Sequence, residues 1–428
     1  GIGFHGGVPT QVVRIGATRV RDAVRHPQTT RPHVFTGNRR QNGEDMHRRI
    51  PADKWCVTRR DLRRFRAEVL ESIRNGSIVP TLLDPFDPVD RTHGPTIYTV
   101  TEQFIEPVTK AAGGMSWALM RNPAGLSCEL FVTHAWQEGI FEFLDKVLNS
   151  WPHGKRFAWC CMLSNPQNLN ISSLIRNPAT SPFALALKSA SCMLVVPNRH
   201  ASIYTRLWCA YEAFLAYQWE KVILTANPPC YRDALMALPQ VLLCLALGFL
   251  FSLTEIGPHC MLLSTVYSTT WYPMVVIAVV VKSTSWRRFW NYIGATWSAY
   301  NAGMLVRVYA ANHPEVIGFP TDGELTFSGW RSYVVKCALV TCLFYVACEI
   351  DRVRNNISEK EAQKLCNGYG GSIRHSARCT QASDEAHIRA EIGDRLGSVD
   401  SSIDVLIRAG MSTPSLRLAA ALGVNIER

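Results

Sequence analysis

The stretch CELFVTHAW, residues 128–136, opens the most regular part of the chain. It is a short apolar run that ends in polar residues, and EGIFEFLDKVLNSW follows it with apolar residues at helical spacing. Further short apolar runs lie at 156–163, 192–198 and 221–226, with helical patterns between them. Apolar strands that alternate with helices predict a parallel sheet covered on both faces. We therefore expect an α/β domain over residues 128–230, with ligands bound beyond the carboxyl ends of its strands.

The chain changes character after this domain. Residues 234–254 and 256–281 contain no Asp, Glu, Lys or Arg, and each run is long enough to cross a hydrocarbon core of ~30 Å as a helix. Weaker apolar runs follow at 289–306 and 332–350. We predict a transmembrane region of about four helices over residues 231–354. The alternative is that these runs are core helices of a large soluble protein.

Positive charge is concentrated before the α/β domain. Residues 1–75 hold 16 of the 45 lysines and arginines but 7 of the 34 acidic residues, in a chain with a formal net charge of +11. Residues 1–57 contain few large apolar residues and are predicted to form a basic, largely disordered arm. Residues 58–127 are predicted to be a helix and linker region that packs on the core. Such an arm can meet an anionic membrane surface or an acidic partner, and we expect the lipid bilayer rather than nucleic acid.

Basic residues flank the apolar runs on one side only, at Lys282, Arg287, Arg288, Arg352 and Arg354. The intervening loop HPEVIGFPTDGELTFSG has three acidic residues and neither lysine nor arginine. By the positive-inside rule, an integral membrane protein with this pattern has its soluble domains and both termini in the cytosol. The 14 cysteines agree with a reducing compartment, and because they lack metal-ligand spacing we predict no metal site.

Residues 355–428 follow the apolar runs and are polar again. The segments SDEAHIRAEIG, SVDSSIDVLIRAG and STPSLRLAAALG each begin with a serine or threonine that can cap a helix, and each ends in glycine. We predict a small cytosolic helical tail that serves packing or interaction and carries no catalytic constellation.

A question about function is posed by RLWCAYEAFLAYQWE, residues 206–220. Between its charged ends it carries one charge, Glu212, in a helix that is apolar on nearly every side. An ionised group in such a helix must be paired, exposed in a cleft, or functional. Glu212 is therefore either a catalytic carboxylate with a raised pKa in a semi-apolar cleft or a carboxylate paired with an arginine such as Arg206 or Arg199.

The order of the segments is itself informative. The strand LFVTHAW, a helix, a second strand, a polar loop, a helix, the strand CMLVVPN and the segment RLWCAYEAF follow one another. This order resembles the Toll/interleukin-1 receptor (TIR) domain, a flavodoxin-like α/β fold in which a W-C-x-x-E-type helix follows the third strand. The whole chain is also similar to a group of multi-pass membrane proteins of unicellular algae, on the segments THAW, SNPQN, TSPFA and TR-WC-YEA. The fifth strand and helix that are usual in TIR domains would fall where the membrane run begins.

The resemblance implies two functions. Some TIR domains are assembly modules, which implies a membrane-anchored module for signalling that associates with itself or with other TIR-like domains through the loop at 164–181. Others hydrolyse NAD⁺ through a glutamate in this helix, which would make Glu212 the catalytic residue of an NAD⁺ nucleosidase, with NAD⁺ as substrate and no cofactor required. A regulated channel or transporter is a third reading, for which the spans offer little beyond Lys336.

Four further residues would line the pocket of such an enzyme. Trp208 lies one turn before Glu212 on the same helical face. His134 and Trp136 come at the carboxyl end of the first strand, and Asn165 begins the loop after the second. Each also has a structural explanation, because tryptophans fill cores, a histidine can hydrogen-bond at a strand end, and asparagine forms turns.

Overall fold

A six-stranded sheet with the strand order β1-β3-β2-β4-β5-β6 forms the centre of the fold. The computed structural model describes residues 42–254, 273–281, 283–312 and 329–424. The strands are β1 (Val57–Thr58), β2 (Leu130–Thr133), β3 (Phe157–Cys160), β4 (Cys192–Val195), β5 (Val222–Thr225) and β6 (Met411–Ser412). The four middle strands pair in parallel, whereas β1 and β6 add to the two edges in the antiparallel sense. The predicted α/β class and parallel sheet are confirmed.

Helices precede, connect and follow the strands. The first group is α1 (Gly43–Arg49), α2 (Arg59–Arg74), α3 (Ile97–Val100), α4 (Glu106–Ala111) and α5 (Trp117–Arg121). The helices among the parallel strands are α6 (Ile140–Asn149), α7 (Cys161–Ser164), α8 (Ile171–Ile175), α9 (Pro182–Ser189) and α10 (Leu207–Gln218). The next helices are α11 (Tyr231–Thr254), α12 (residues 273–280), α13 (Thr284–Asn312) and α14 (Gly329–Lys364). The tail contains α15 (Ile373–Ser376), α16 (Ala382–Ile392), α17 (Leu396–Ala409) and α18 (Pro414–Ala421).

Both faces of the sheet are covered, as its apolar strands require. Leu130 and Val132 belong to a core formed with α2 and α6, whereas Phe131 between them belongs to a core formed with α9 and α10. This split follows from the alternation of side chains along a strand. On the second face the ring of Phe131 stacks on that of Trp159, with 5.2 Å between the ring centroids. Continuous burial explains why these strands have no polar face to reveal them by alternation.

The end of the predicted basic arm is part of the folded domain. Residues 43–57 form α1, a short 3₁₀ turn and the start of β1, and Met46 and Trp55 are buried in the core. The indole Nε1 of Trp55 donates a hydrogen bond to the carbonyl of Ile50 at 2.8 Å. Because a few widely spaced apolar residues suffice to dock this segment, the boundary predicted at residue 57 is wrong. The rest of the predicted arm, residues 1–41, lies outside the described residues.

The tail completes the α/β domain. The three helices predicted from its serine and glycine signals are α16, α17 and α18. Helices α16 and α17 pack on α10, and β6 pairs with β5, which would otherwise be the edge of the sheet. Ile388, Ile403 and Leu406 are buried in the same core as the aromatic residues of α10. A domain that ended at residue 230 would therefore lack part of its own core.

The long helices α11, α13 and α14 pack together as a bundle. Their backbones approach closely, since a Cβ added to Gly248 would lie 2.0 Å from the carbonyl oxygen of Thr296. Among the described residues, one stretch, Tyr231–Leu253 in α11, is long and apolar enough to cross a membrane. The runs predicted at 289–306 and 332–350 lie in the helices α13 and α14, and most of the run at 256–281 lies outside the described residues.

Candidate functional site

A cavity of about 190 Å³ lies at the carboxyl ends of β2 and β3, beneath α10. This is the edge at which ligands bind in open parallel sheets. All five residues selected from the sequence line it: His134, Trp136, Asn165, Trp208 and Glu212. The structure therefore brings together side chains that are as far as 78 positions apart in the chain.

Three short pieces of backbone supply these side chains. His134 and Trp136 follow β2, and Asn165 follows the single turn α7 that comes after β3. Trp208 and Glu212 project from consecutive turns of α10. The carboxyl ends of parallel strands meet at one edge of a sheet, so the polar residues that end each apolar run converge there.

Glu212 is buried and has no arginine partner among the described residues. Its side chain is 5% exposed, and Oγ1 of Thr133 donates a hydrogen bond to its Oε2 at 2.6 Å. Arg206 donates instead to the hydroxyl of Tyr98 at 3.0 Å, and Arg199 donates to the neighbouring His200. The alternative in which Glu212 pairs with Arg206 or Arg199 is therefore not what the structure shows, although Arg206 lines the same cavity.

The environment of Glu212 favours its protonated form. Burial raises the pKa of this carboxyl to about 8, although the hydrogen bond from Thr133 opposes that rise. In the part of the chain that the structure describes, no salt bridge includes Glu212. A carboxyl whose pKa is raised by burial inside a cavity is typical of a functional site.

His134 is a neutral ring wedged between aromatic and sulfur groups. Burial lowers the pKa of His134 to about 3, so the ring carries no charge at physiological pH. Its Nε2 lies 3.2 Å from Sγ of Cys161, and its ring centroid lies 4.5 Å from that of Phe143. The neutral ring can accept or donate a hydrogen bond but cannot serve as a cation.

The two tryptophans form walls of the cavity. The indole Nε1 of Trp136 donates a hydrogen bond to Sγ of Cys161 at 3.1 Å. Trp208 stacks on Phe183, with 5.0 Å between the ring centroids and 23° between the planes. Both indoles are only partly buried, because their exposed portions face the cavity opening instead of the core.

Polar atoms in this cavity remain available for a ligand. Oδ1 of Asn165 and Nδ1 of His134 are both buried, and neither has a hydrogen-bond partner among the described residues. An unsatisfied buried polar atom costs ~1–3 kcal/mol, which a ligand that hydrogen-bonds to it would recover. An amide or hydroxyl group can bind at these atoms.

Sequence reasoning missed several residues that line the cavity, among them Thr133 and Cys161. Thr133 ends β2 and donates a hydrogen bond to Glu212, and Sγ of Cys161 accepts one from Nε1 of Trp136. Their position directly at a strand end was the available signal. Gln167 also lines the cavity, and its Nε2 donates to backbone carbonyls such as that of Met162 at 3.1 Å.

Within the described ranges, no group of three or more His, Cys, Asp or Glu side chains is arranged to hold a metal ion. No protein-family profile, curated protein or solved structure matches this chain.

Proposed function

We propose that this protein is a membrane-tethered TIR-like enzyme that hydrolyses the bond between nicotinamide and ribose in NAD⁺, using Glu212. The observation that carries the proposal is that Glu212 lines a cavity at the strand ends and is free of any ion pair in the described part of the chain. An arginine that fastened α10 to its neighbours through Glu212 would occupy this carboxyl. Glu212 instead has one oxygen bound by Thr133 and the other left for a ligand.

The chemistry suits a single carboxylate. Nicotinamide leaves with the electron pair of the C1′–N bond and becomes neutral, so no acid has to protonate it. The ribose carbon then develops oxocarbenium character, which a nearby negative charge stabilises. A water oxygen bonds to C1′ and its proton passes to Glu212 or to solvent, giving ADP-ribose and free nicotinamide.

Substrate binding would supply the ionised form that this step needs. In the free protein the pKa of Glu212 is about 8, so the carboxyl is mostly protonated at neutral pH. A positive charge within ~4–6 Å of a carboxyl lowers its pKa, and the pyridinium ring of NAD⁺ is such a charge. The cavity would thus favour a cationic nicotinamide over the neutral product.

The cavity is small for a whole dinucleotide. Its volume of about 190 Å³ is below the ~300–1,000 Å³ typical of small-molecule sites. We infer that it holds the nicotinamide and its ribose, between Trp208 and Trp136, and that the adenosine half lies outside. Asn165 and His134 offer the hydrogen bonds that a carboxamide or a ribose hydroxyl requires.

The strand order supports the relation to TIR domains. Counted along the chain, the parallel strands have the order 2-1-3-4, the beginning of the flavodoxin-like order 2-1-3-4-5. Helix α10 follows the third parallel strand and carries Trp208, Cys209 and Glu212 in the W-C-x-x-E arrangement. The position of a fifth strand is taken by β6 from the tail, in the antiparallel sense.

The surface of α11 supports a membrane tether. Only 11% of its most apolar stretch is buried, and Leu243, Leu250 and Phe251 are each more than half exposed. A core helix of a soluble protein would bury such side chains, and a contiguous exposed apolar surface needs lipid or another protein to cover it. With the basic flanks, this favours an α/β domain held at the cytosolic face of a bilayer.

Assembly through TIR-like contacts is the second candidate function. Helix α8 lies in the loop expected to govern self-association, and none of its residues is buried. Leu174 on α8 and Leu185 on α9 are exposed apolar residues near the cavity. These side chains suit contact with a second copy or with another TIR-like domain.

The test is release of nicotinamide by the full chain in lipid nanodiscs supplied with NAD⁺. The Glu212→Gln variant should lose release, whereas Glu220→Gln, which changes an exposed glutamate just after the same helix, should keep it. If the unaltered protein releases no nicotinamide even at concentrations at which it oligomerises, the hydrolase proposal fails and assembly remains.

A further inference from the structure

A buried lysine behind the cavity joins three separate segments of the chain. Lys146 on α6 is 1% exposed, and its Nζ donates to the carbonyl oxygen of Pro197 at 2.6 Å. The same Nζ lies 2.8 Å from Oε1 of Glu142, 3.0 Å from Oε2 of Glu361 and 3.4 Å from Oε1 of Glu138. Because removing an ammonium group from water is costly, a lysine so placed must be held by several partners at once.

The partners of Lys146 belong to the loop after β2, to the connection that leads to α10, and to helix α14. Glu138 belongs to the loop 134–139 between β2 and α6, which also supplies His134 and Trp136 to the cavity. Pro197 follows β4 and begins the connection to α10. Glu361 belongs to the last turn of α14, a helix that starts in the bundle.

The charges of this cluster hold one another in place. Burial opposes the charge on Lys146, but the carboxylates of Glu138, Glu361 and Glu142 raise its pKa, so it stays ionised. Burial also opposes the ionisation of Glu142, yet hydrogen bonds from His93 and Lys146 bring its pKa to about 2. Burial raises the pKa of Glu138 well above its usual range. Glu138 therefore favours its protonated form, whereas Lys146 and Glu142 remain a charged pair.

The chain that leaves α14 makes a second connection to the cavity. The carbonyl oxygen of Asn367 accepts a hydrogen bond from the backbone of Ser202 at 2.6 Å. Arg378 then exchanges backbone hydrogen bonds with the start of α10, donating to Thr205 at 2.9 Å and accepting from Leu207 at 3.0 Å. This turn precedes Trp208 and Glu212, so the second wall of the cavity is also fastened to the end of α14.

Helix α14 is continuous from the bundle to this point. It runs for 36 residues, which is ~54 Å at the rise of an α-helix, and its earlier part packs against α11 and α13. A displacement of α14 along or about its axis would move Glu361 against Lys146. Packed elements of this kind respond as rigid bodies, because interiors are dense and deform little.

We propose that Lys146 is a positioning residue of the cavity. It holds the His134–Trp136 loop and the β4–α10 connection against the end of α14. The shape of the cavity therefore follows the position of α14 in the bundle. The inference does not depend on NAD⁺ as the substrate. It makes the cavity responsive to whatever acts on the bundle, such as bilayer tension or contact with a second protein.

The test measures access to the cavity through Cys161, without any reaction of substrate. The full chain in nanodiscs is treated with N-ethylmaleimide, and labelling of each cysteine is followed by peptide mass spectrometry. In Lys146→Met, Cys161 should react about fivefold faster or more than in the unaltered protein. The substitution removes the ammonium group that joins the three segments. Glu361→Gln, which releases only α14, should accelerate labelling at least about twofold.

The matched control is Asp145→Asn. Asp145 neighbours Lys146 on α6, and its ion pair with Arg66 at 2.8 Å fastens the helix to α2, away from the cavity. This variant should label Cys161 at the unaltered rate. Cys56 and Cys128 are buried in the folded domain and report on global unfolding, so their labelling should not change in any variant.

Two results would overturn the proposal. The first is equal labelling of Cys161 in Lys146→Met and in the unaltered protein, with Cys56 and Cys128 still protected. The second result concerns the case in which Lys146→Met unfolds, which faster labelling of Cys56 and Cys128 would reveal. In that case Glu361→Gln is the deciding variant. An unaltered rate of Cys161 labelling in Glu361→Gln contradicts the proposed link to α14.

Discussion

Oγ1 of Thr133 donates a hydrogen bond to Oε2 of Glu212 at 2.6 Å and so joins the last residue of β2 to the middle of α10. Among the described residues it is the one hydrogen bond to this carboxyl, and it engages Oε2 and not Oε1. The contact spans 79 positions of the chain and could not be foreseen from either segment alone.

Thr133→Val should weaken catalysis by removing this hydrogen bond at nearly constant volume. The hydroxyl stabilises the ionised carboxyl, so its loss should raise the pKa of Glu212 further and lower kcat/KM about tenfold near neutral pH. Nicotinamide release as a function of pH measures both effects. Thr133→Ser keeps the hydroxyl and should restore most of the activity, and a valine variant with an unaltered pH profile would exclude this role.

Stability should depend on pH through Glu212. Its pKa is about 8 in the folded protein and near its ordinary value of 4.5 when unfolded, so the folded state binds the extra proton between these values. The stability contributed by the protonated group is therefore complete below the lower value and is lost as pH rises through about 8. Glu212→Gln should remove this dependence and be more stable than the unaltered protein above pH ~8, by ~5 kcal/mol.

Thermal unfolding followed by intrinsic fluorescence checks this prediction. The difference in midpoint between Glu212→Gln and the unaltered protein should be small near pH ~5 and should widen toward pH ~9. If the difference in thermal midpoint between the two proteins were the same across that pH range, the carboxyl of Glu212 would have the same pKa in the folded protein as in water.

The α/β domain should not fold when it is cut at residue 230. The cut removes β6 from the edge of the sheet and takes Ile403 and Leu406 away from α10. Each large apolar side chain lost from a core costs ~2–5 kcal/mol, so the loss of several exceeds the stability of an ordinary domain. Fragment 42–230 should be insoluble or lack a cooperative unfolding transition by circular dichroism, and a monomeric fragment that unfolds cooperatively would contradict the domain boundary described here.

The bundle should be sensitive to side-chain size at Gly248. A Cβ at this position would lie 2.0 Å from the carbonyl oxygen of Thr296, so Gly248→Leu must push α11 away from α13. We expect a lower thermal midpoint in detergent and faster proteolysis between the two helices. Leu247→Ala, at a neighbouring position of which 42% is exposed, is the control and should leave the midpoint nearly unchanged.

The sequence was sufficient for the middle of the sheet. Continuous apolar runs separated by helical patterns predict β2, β3, β4 and β5, because parallel strands buried on both faces have no other composition. The five cavity residues could be selected because they stand at strand ends or beside the lone carboxylate of an apolar helix. Their convergence followed from the common direction of the parallel strands.

Other features depend on contacts between distant segments. Strands β1 and β6 are two residues long and carry no local pattern, so only pairing with the completed sheet defines them. The sequence left open an arginine partner for Glu212, and the structure shows Arg206 donating a hydrogen bond to Tyr98 instead. In the sequence, Lys146 has the pattern of a surface lysine on an amphipathic helix. Its contact with Glu361 of α14, a distant segment of the chain, is visible only in the structure.

The most direct test of the account is the pH dependence of nicotinamide release by the full chain in nanodiscs. The account predicts that kcat/KM rises with pH and levels off above pH ~8, where Glu212 is ionised in the free protein, and that Glu212→Gln releases no nicotinamide at any pH. Release by Glu212→Gln at the rate of the unaltered protein would show that this carboxyl performs no chemistry.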